Sequence, residues 1–87
     1  MNLNLIARTG AKEILIQLES GPKRFSEFRE LNKRTMQKRL IELEEAGLIR
    51  REVITERPVK VIYKLTRKGN EIIQDLKRLE RKLKSLK

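Results

Sequence analysis

Lys33, Arg34, Lys38 and Arg39 stand close together in this chain, and no acid interrupts them from Asn32 to Ile41. Thr35 and Gln37 lie between them. These side chains suit one kind of chemistry, the recognition of a polyanion that carries hydrogen-bonding edges. Lys and Arg neutralise phosphates. Arg pairs bidentately with guanine, Gln with adenine, and a Thr or Ile methyl packs on the methyl of thymine. The acids of the same stretch, Glu42, Glu44 and Glu45, come only afterwards. On a helix this order opposes the macrodipole, costing up to ~1 kcal/mol for a charge near an end. A helix chosen for stability alone would carry the reverse. Insertion of its N-terminal half into a phosphate-lined groove accounts for the polarity; a merely solvated helix face is the alternative.

Composition points the same way. The chain has 87 residues, with 22 Lys and Arg against 12 Asp and Glu, a formal net charge of +10. Such an excess concentrates polyanions near the surface and speeds encounter with them. A charged fraction of 39% also fits a protein from a hot environment, where charges of both signs abound. Heat does not explain the imbalance, so nucleic acid is the expected partner, with a membrane surface or an acidic protein behind it. There is no Cys and no His. Disulfides, thiolate ligands, thiol redox sensing and the usual general base are therefore missing. No phosphate loop or nucleophile elbow is found, and the Glu44-Glu45 pair reads as helix surface. No enzyme activity, metal or cofactor is expected. No apolar run is long enough to span a bilayer, and the apolar stretch from Met1 to Ala7 lacks the length and basic lead-in of a signal peptide. A cytoplasmic, nucleoid-associated protein is the expectation.

The elements that would position the basic stretch follow from periodicity and punctuation. Ala11, Ile14, Leu15 and Leu18 recur at spacings of three and four, an amphipathic helix over about 9–19 stopped by Gly21-Pro22. Lys23 to Phe25 reads as extended, and Ser26 as the N-cap of a short helix from Glu27 to Leu31. Asn32 caps a third helix over about 33–46, whose Met36, Leu40 and Leu43 form one buried stripe and whose end is set by Gly47. Arg34, Lys38 and Ile41 then point away from the core, with Thr35 and Gln37 on the flanks. Two helices joined by a tight turn make a helix-turn-helix, the second being the reader. Alternation over 48–55 and 59–65 predicts a two-stranded hairpin, a wing, carrying Arg50, Arg51, Arg57, Lys60 and Lys64. Arg57 would sit beside Pro58 at its tip, to grip phosphate or enter the minor groove. An ordinary polar hairpin is the alternative. Lys23 and Arg24 are weaker candidates for backbone contact. Thr66 caps a long helix over about 67–86, where Ile72, Leu76, Leu79, Leu83 and Leu86 form a heptad seam. That seam packs either on its own chain or, the favoured reading, on a second subunit, with Leu3, Leu5 and Ile6 joining it.

These residues carry a resemblance. The pieces from Gly21 to Phe28 (GPKRFSEF), Arg39 to Ile49 (RLIELEEAGLI) and Glu56 to Gly69 (ERPVKVIYKLTRKG) resemble the HxlR family of winged-helix regulators and, more loosely, the wider MarR group. The likeness covers more than half of the chain. Its distinctive parts are the Arg-Phe-Ser-Glu start, the proline-bearing wing and the Tyr-x-Leu-Thr-x-x-Gly end; the middle piece recurs in many winged helices. The resemblance implies a DNA-binding regulator, dimeric through its terminal helices, with Asn32 capping the reader helix and Arg34, Thr35, Gln37 and Lys38 facing the groove. The sequence departs from the pattern in two ways. The turn before the reader helix is shorter than is usual in the family. The cysteine through which some members sense oxidants or electrophiles is absent, so any signal is read in another way.

The expected architecture is therefore mainly α with a small β-hairpin wing, a single winged helix-turn-helix domain over 1–87. Its core spans about 9–66, and a long C-terminal dimerisation helix covers about 67–87. The expected DNA-binding set is Lys33, Arg34, Thr35, Gln37, Lys38, Arg39, Arg51, Arg57 and Lys60. The expected function is a homodimeric transcription regulator that reads an inverted repeat in double-stranded DNA. A sequence-tolerant architectural DNA binder and a winged-helix protein-interaction module are the alternatives. Phe25, Phe28 and Tyr63 are too few aromatic residues for an RNA stacking platform. No membrane partner is expected, and the sequence names no small-molecule effector.

Overall fold

The computed structural model describes the backbone of residues 3–85 and the side chains of residues 5–85. Along the chain run α1 (Leu3–Ala7), α2 (Ala11–Glu19), β1 (Lys23–Arg24), a 3-10 turn (Phe25–Glu27), α3 (Lys33–Glu45), β2 (Ile49–Ile54), β3 (Lys60–Leu65) and α4 (Arg67–Ser85). The stripe predicted for α2 is realised: Ala11, Ile14, Leu15 and Leu18 are all buried. Met36, Leu40 and Leu43 of α3 meet them, with Leu48, Ile49 and Ile73 closing the core. Each such Leu or Ile contributes roughly 1.5–3 kcal/mol by leaving water. No polar side chain is buried among the described residues.

The expected two-stranded hairpin forms, and the extended piece at Lys23 adds a third strand to it. The sheet has three antiparallel strands in the order β1-β3-β2, with Lys23 opposite Tyr63 and Arg24 opposite Ile62. The wing pairs from Ile49 opposite Leu65 to Ile54 opposite Lys60. Gly47 turns the chain from α3 into β2 at φ +77°, the left-handed conformation that glycine adopts without strain.

The short helix expected over Glu27 to Leu31, capped by Ser26, does not form. Only one 3-10 turn is made, and the Glu27 carboxylate bends back to accept from the Arg24 N–H at 2.8 Å. Phe28 is extended and Glu30 has φ +62°, so no helix continues. A long-range contact fixes this path. The Gln17 side-chain amide accepts from the Arg29 N–H and donates to the Arg29 carbonyl, each at 2.9 Å, much as a neighbouring strand would.

On α4 the inward residues are Gly69 and Ile73, both buried, one position beyond the heptad seam that begins at Ile72. Ile72 and Leu76 are half-buried against the core, and Leu79 and Leu83 are 53% and 55% exposed. Ion pairs fasten α4 along α2. Gln74 and Lys77 both donate to Glu19, at 2.8 and 2.6 Å, and Lys12 pairs with Glu80. The Lys77 ammonium, backed by the Gln74 amide, holds the Glu19 carboxyl below the usual carboxylate range, and Lys12 does the same for Glu80. Of the expected seam, Leu5 and Ile6 of α1 are half-buried against the core; the Leu3 side chain and Leu86 lie outside the described residues.

Candidate nucleic-acid interface

The geometry of the basic stretch begins at Asn32. Its φ of −63° and ψ of 132° are extended, and its Oδ1 accepts from the N–H groups of Arg34 at 2.9 Å and Thr35 at 3.3 Å. A cap of this kind is worth ~1 kcal/mol. It sets where α3 starts and therefore the direction in which its first two turns point. With Met36, Leu40 and Leu43 turned inward, Lys33, Arg34, Gln37 and Lys38 are exposed and Ile41 is 52% exposed.

Two residues of the expected set stand apart. Arg39 is turned to the opposite flank and its side chain is only 14% exposed. Its Nε donates to the Thr9 carbonyl at 2.9 Å and its Nη1 to Glu42 at 2.6 Å. The other Glu42 oxygen pairs with Arg8. This network ties the middle of α3 to the segment between α1 and α2, so Arg39 orients the helix instead of extending its cationic face. Thr35 is half-buried on the same flank, beside Gly10. The sequence pattern could not show this. Arg8 and Glu42 are far apart along the chain, and a helical wheel does not say which flank meets a neighbour.

The wing places Arg50, Arg51 and Arg57 in solvent and leaves Lys60 half-buried. Lys64 is committed to Glu52 across the strands at 2.6 Å. The base of the wing is fixed by Thr66. Its hydroxyl donates to the Gly47 carbonyl at 2.6 Å and accepts from the Gly69 N–H at 3.1 Å, while its own N–H donates to the Leu48 carbonyl at 3.1 Å. One residue thereby joins the end of α3, the start of β2 and the start of α4, and the wing is held in a set direction from the reader helix.

Ion pairing is densest along α2 and α4. The acids of α2 and α4 are largely spent on nearby cations, in Lys77–Glu19, Lys12–Glu80, Arg67–Glu71 and Arg78–Asp75. Among the described residues, Lys33, Arg34 and Lys38 of α3 and Arg50, Arg51, Arg57 and Lys60 of the wing have no ion-pair partner, and the same holds for Lys23, Arg24 and Arg29 and for Lys68, Arg81, Lys82 and Lys84 of α4. Unpaired cations on a helix and a wing joined at a fixed angle can meet phosphates on both sides of a groove. No cluster of three or more His, Cys, Asp or Glu able to hold a metal occurs among the described residues.

Comparison with known proteins gives the same architecture. A family model described as HxlR-like helix-turn-helix matches residues 6–86. Over 63 residues the chain is 43% identical to the HTH-type transcriptional regulator YodB of Bacillus subtilis (strain 168), covering 68% of this chain and 56% of that protein. The chain spans about half to two thirds of the length of the curated relatives it matches. Among solved structures, the reduced form of YodB from B. subtilis matches with a TM-score of 0.84 at 32% identity, covering 91% of this chain and 81% of that one. A transcriptional regulator of the MarR family from Enterococcus faecalis V583 matches with a TM-score of 0.90 at 28% identity, covering 97% and 80%. With its helix-turn-helix, its wing and a family match that runs almost from end to end, the chain belongs to the HxlR-like helix-turn-helix family.

Proposed function

We propose that this protein is a transcription regulator that binds double-stranded DNA, α3 entering the major groove and the wing lying on the backbone or in the adjacent minor groove. The observation that carries the reading is the unpaired cationic face shared by α3 and the wing, on a scaffold whose relatives are transcriptional regulators. Lys33, Arg34, Gln37 and Lys38 supply the groove contacts; Arg50, Arg51, Arg57 and Lys60 supply the wing contacts. A nucleoid-associated place in the cytoplasm follows from that partner, and the charged surface suits a hot environment. No helix among the described residues is long and apolar enough to cross a membrane.

The regulator acts as a homodimer. Leu79 and Leu83 are spaced four apart on the exposed face of a 19-residue helix that its own chain covers only in part. With Ile72 and Leu76 at heptad spacing on the same helix, they offer an apolar seam to a second copy, which Leu5 and Ile6 of α1 are expected to join. Leu79→Lys combined with Leu83→Lys is expected to halve the mass seen by light scattering, and an unchanged mass would exclude this interface. Two subunits joined in this way present their reader helices to an inverted repeat with half-sites about one helical turn apart.

The deciding experiment selects duplexes from a random pool and measures affinity across a salt series. Enrichment of an inverted repeat is expected, with affinity falling ~10³-fold between about 50 and 200 mM salt if the dimer makes about six phosphate contacts. A steep salt response without enrichment would replace this reading with architectural, sequence-tolerant binding. Absence of binding at low salt would leave protein contacts as the role of the fold.

A further inference from the structure

We infer that Ile41 is a base-reading residue that packs on the 5-methyl group of thymine in the major groove. The inference rests on the DNA-binding reading and adds a chemical feature that the site selects. The sequence offers Thr35 and Ile41 as methyl-bearing side chains on the reader helix, and the structure separates them. The Thr35 methyl lies 3.6 Å from where a Cβ on Gly10 would stand, so it is directed at the segment before α2. Ile41 instead continues the outward stripe of Arg34 and Lys38, three residues beyond the second and seven beyond the first.

The position of Ile41 has no structural explanation within the chain. It is 52% exposed and takes no part in the hydrophobic core. A straight-chain polar residue there would favour the helix slightly more and would not expose a branched apolar side chain to water. Ile41 also borders a depression lined by Gln37, Leu40, Glu44, Arg51 and Tyr63, between the reader helix and the wing strands. In the proposed docking, a duplex held by the cations of α3 and the wing lies over this depression. In the major groove the thymine methyl is the apolar feature of the base edges, whereas cytosine shows an amino donor there. A side chain with no hydrogen-bonding atom can therefore distinguish thymine from cytosine by packing on the methyl.

The test isolates the methyl group. The duplex recovered by selection is prepared with thymidine and again with deoxyuridine, which differs only by the methyl. The wild-type protein is expected to lose about fourfold in affinity for each methyl it buries. Ile41→Ala should bind both duplexes equally, at the affinity of wild type for the uracil duplex, and Ile41→Val should retain part of the preference. Indifference of the wild type to the exchange would overturn the inference. So would an equal loss in wild type and Ile41→Ala, since the methyl would then be read elsewhere or through DNA shape. If the wild type binds no DNA at low salt, the proposed function itself fails and this inference with it, an outcome distinct from binding that ignores the methyl.

Discussion

Gly69→Ala should destabilise the fold by about 3 kcal/mol, which lowers the melting temperature of a domain this size by about 12–24 °C. Helix propensity alone predicts the opposite sign, because Ala stabilises a helix interior over Gly by ~1 kcal/mol. The structure decides between them. A Cβ on Gly69 would fall on the Leu48 carbonyl oxygen, 2.9 Å from the Leu48 carbonyl carbon and 3.2 Å from Leu65 Cδ2. The carbonyl is not free to retreat, because it accepts from the Thr66 N–H and lies beside a hydroxyl that joins Gly47 to Gly69. Relief requires α4 to lift from the base of the wing, and Ile73, fully buried one turn later, would lift with it. Thermal unfolding followed by circular dichroism reads the effect. A raised melting temperature in Gly69→Ala would mean that α4 does not seat on Leu48. Gly47 is a useful contrast, since nothing lies within 4 Å of a Cβ built there and only its positive φ resists substitution.

The double substitution Arg34→Ala, Lys38→Ala should separate stability from binding. Each groove-facing cation that contacts a base or phosphate is worth about 1–3 kcal/mol, so loss of both weakens operator binding by about 30-fold to about 10⁴-fold. Both side chains are exposed, and neither has an ion-pair partner among the described residues, so the core is untouched. Removing positive charge near the start of α3 should even raise stability by a few tenths of a kcal/mol, because the macrodipole there disfavours cations. Affinity falls while the melting temperature holds or rises. Arg39→Ala serves as the control with the reverse order of effects, because it removes the donor to the Thr9 carbonyl and one of the two cations on Glu42. Operator affinity retained in the double variant would show that DNA meets another face.

Much of this was legible in the sequence because local signals agreed with the packing. Asn32 and Gly47 bracket α3 where cap chemistry places them, and the alternation after Leu48 becomes the wing. The rest depended on contacts between residues far apart in the chain. Ser26 and Glu27 read as a helix start, yet the Gln17 amide engages Arg29 and Glu27 turns back on Arg24, so the chain leaves the helical region. Lys38 and Arg39 are neighbours of like charge in the sequence, and only the position of Thr9 and Arg8 shows that the second is drawn to the other flank. On α4 the heptad count follows Ile72, Leu76, Leu79 and Leu83. The buried face steps through Gly69 and Ile73, with Ile72 and Leu76 half-buried at its edge, and a pattern with two apolar faces does not say which one meets its own chain.

The pairing of Lys23 with Tyr63 and of Arg24 with Ile62 has a kinetic consequence. These contacts close a loop that contains the 3-10 turn, the reader helix and the first wing strand. Lengthening a loop adds little to its closure entropy, so enclosing these elements is inexpensive at equilibrium. It is slow in order of events, because a pairing of such high sequence separation forms only once its later strand exists. During synthesis the basic helix leaves the ribosome well before Tyr63 does. Until that strand arrives, the helix can be tied to the segment before α2 through Arg39 but lacks the wing beside it, so a nascent or prematurely terminated chain can attract polyanions without the complete reading surface.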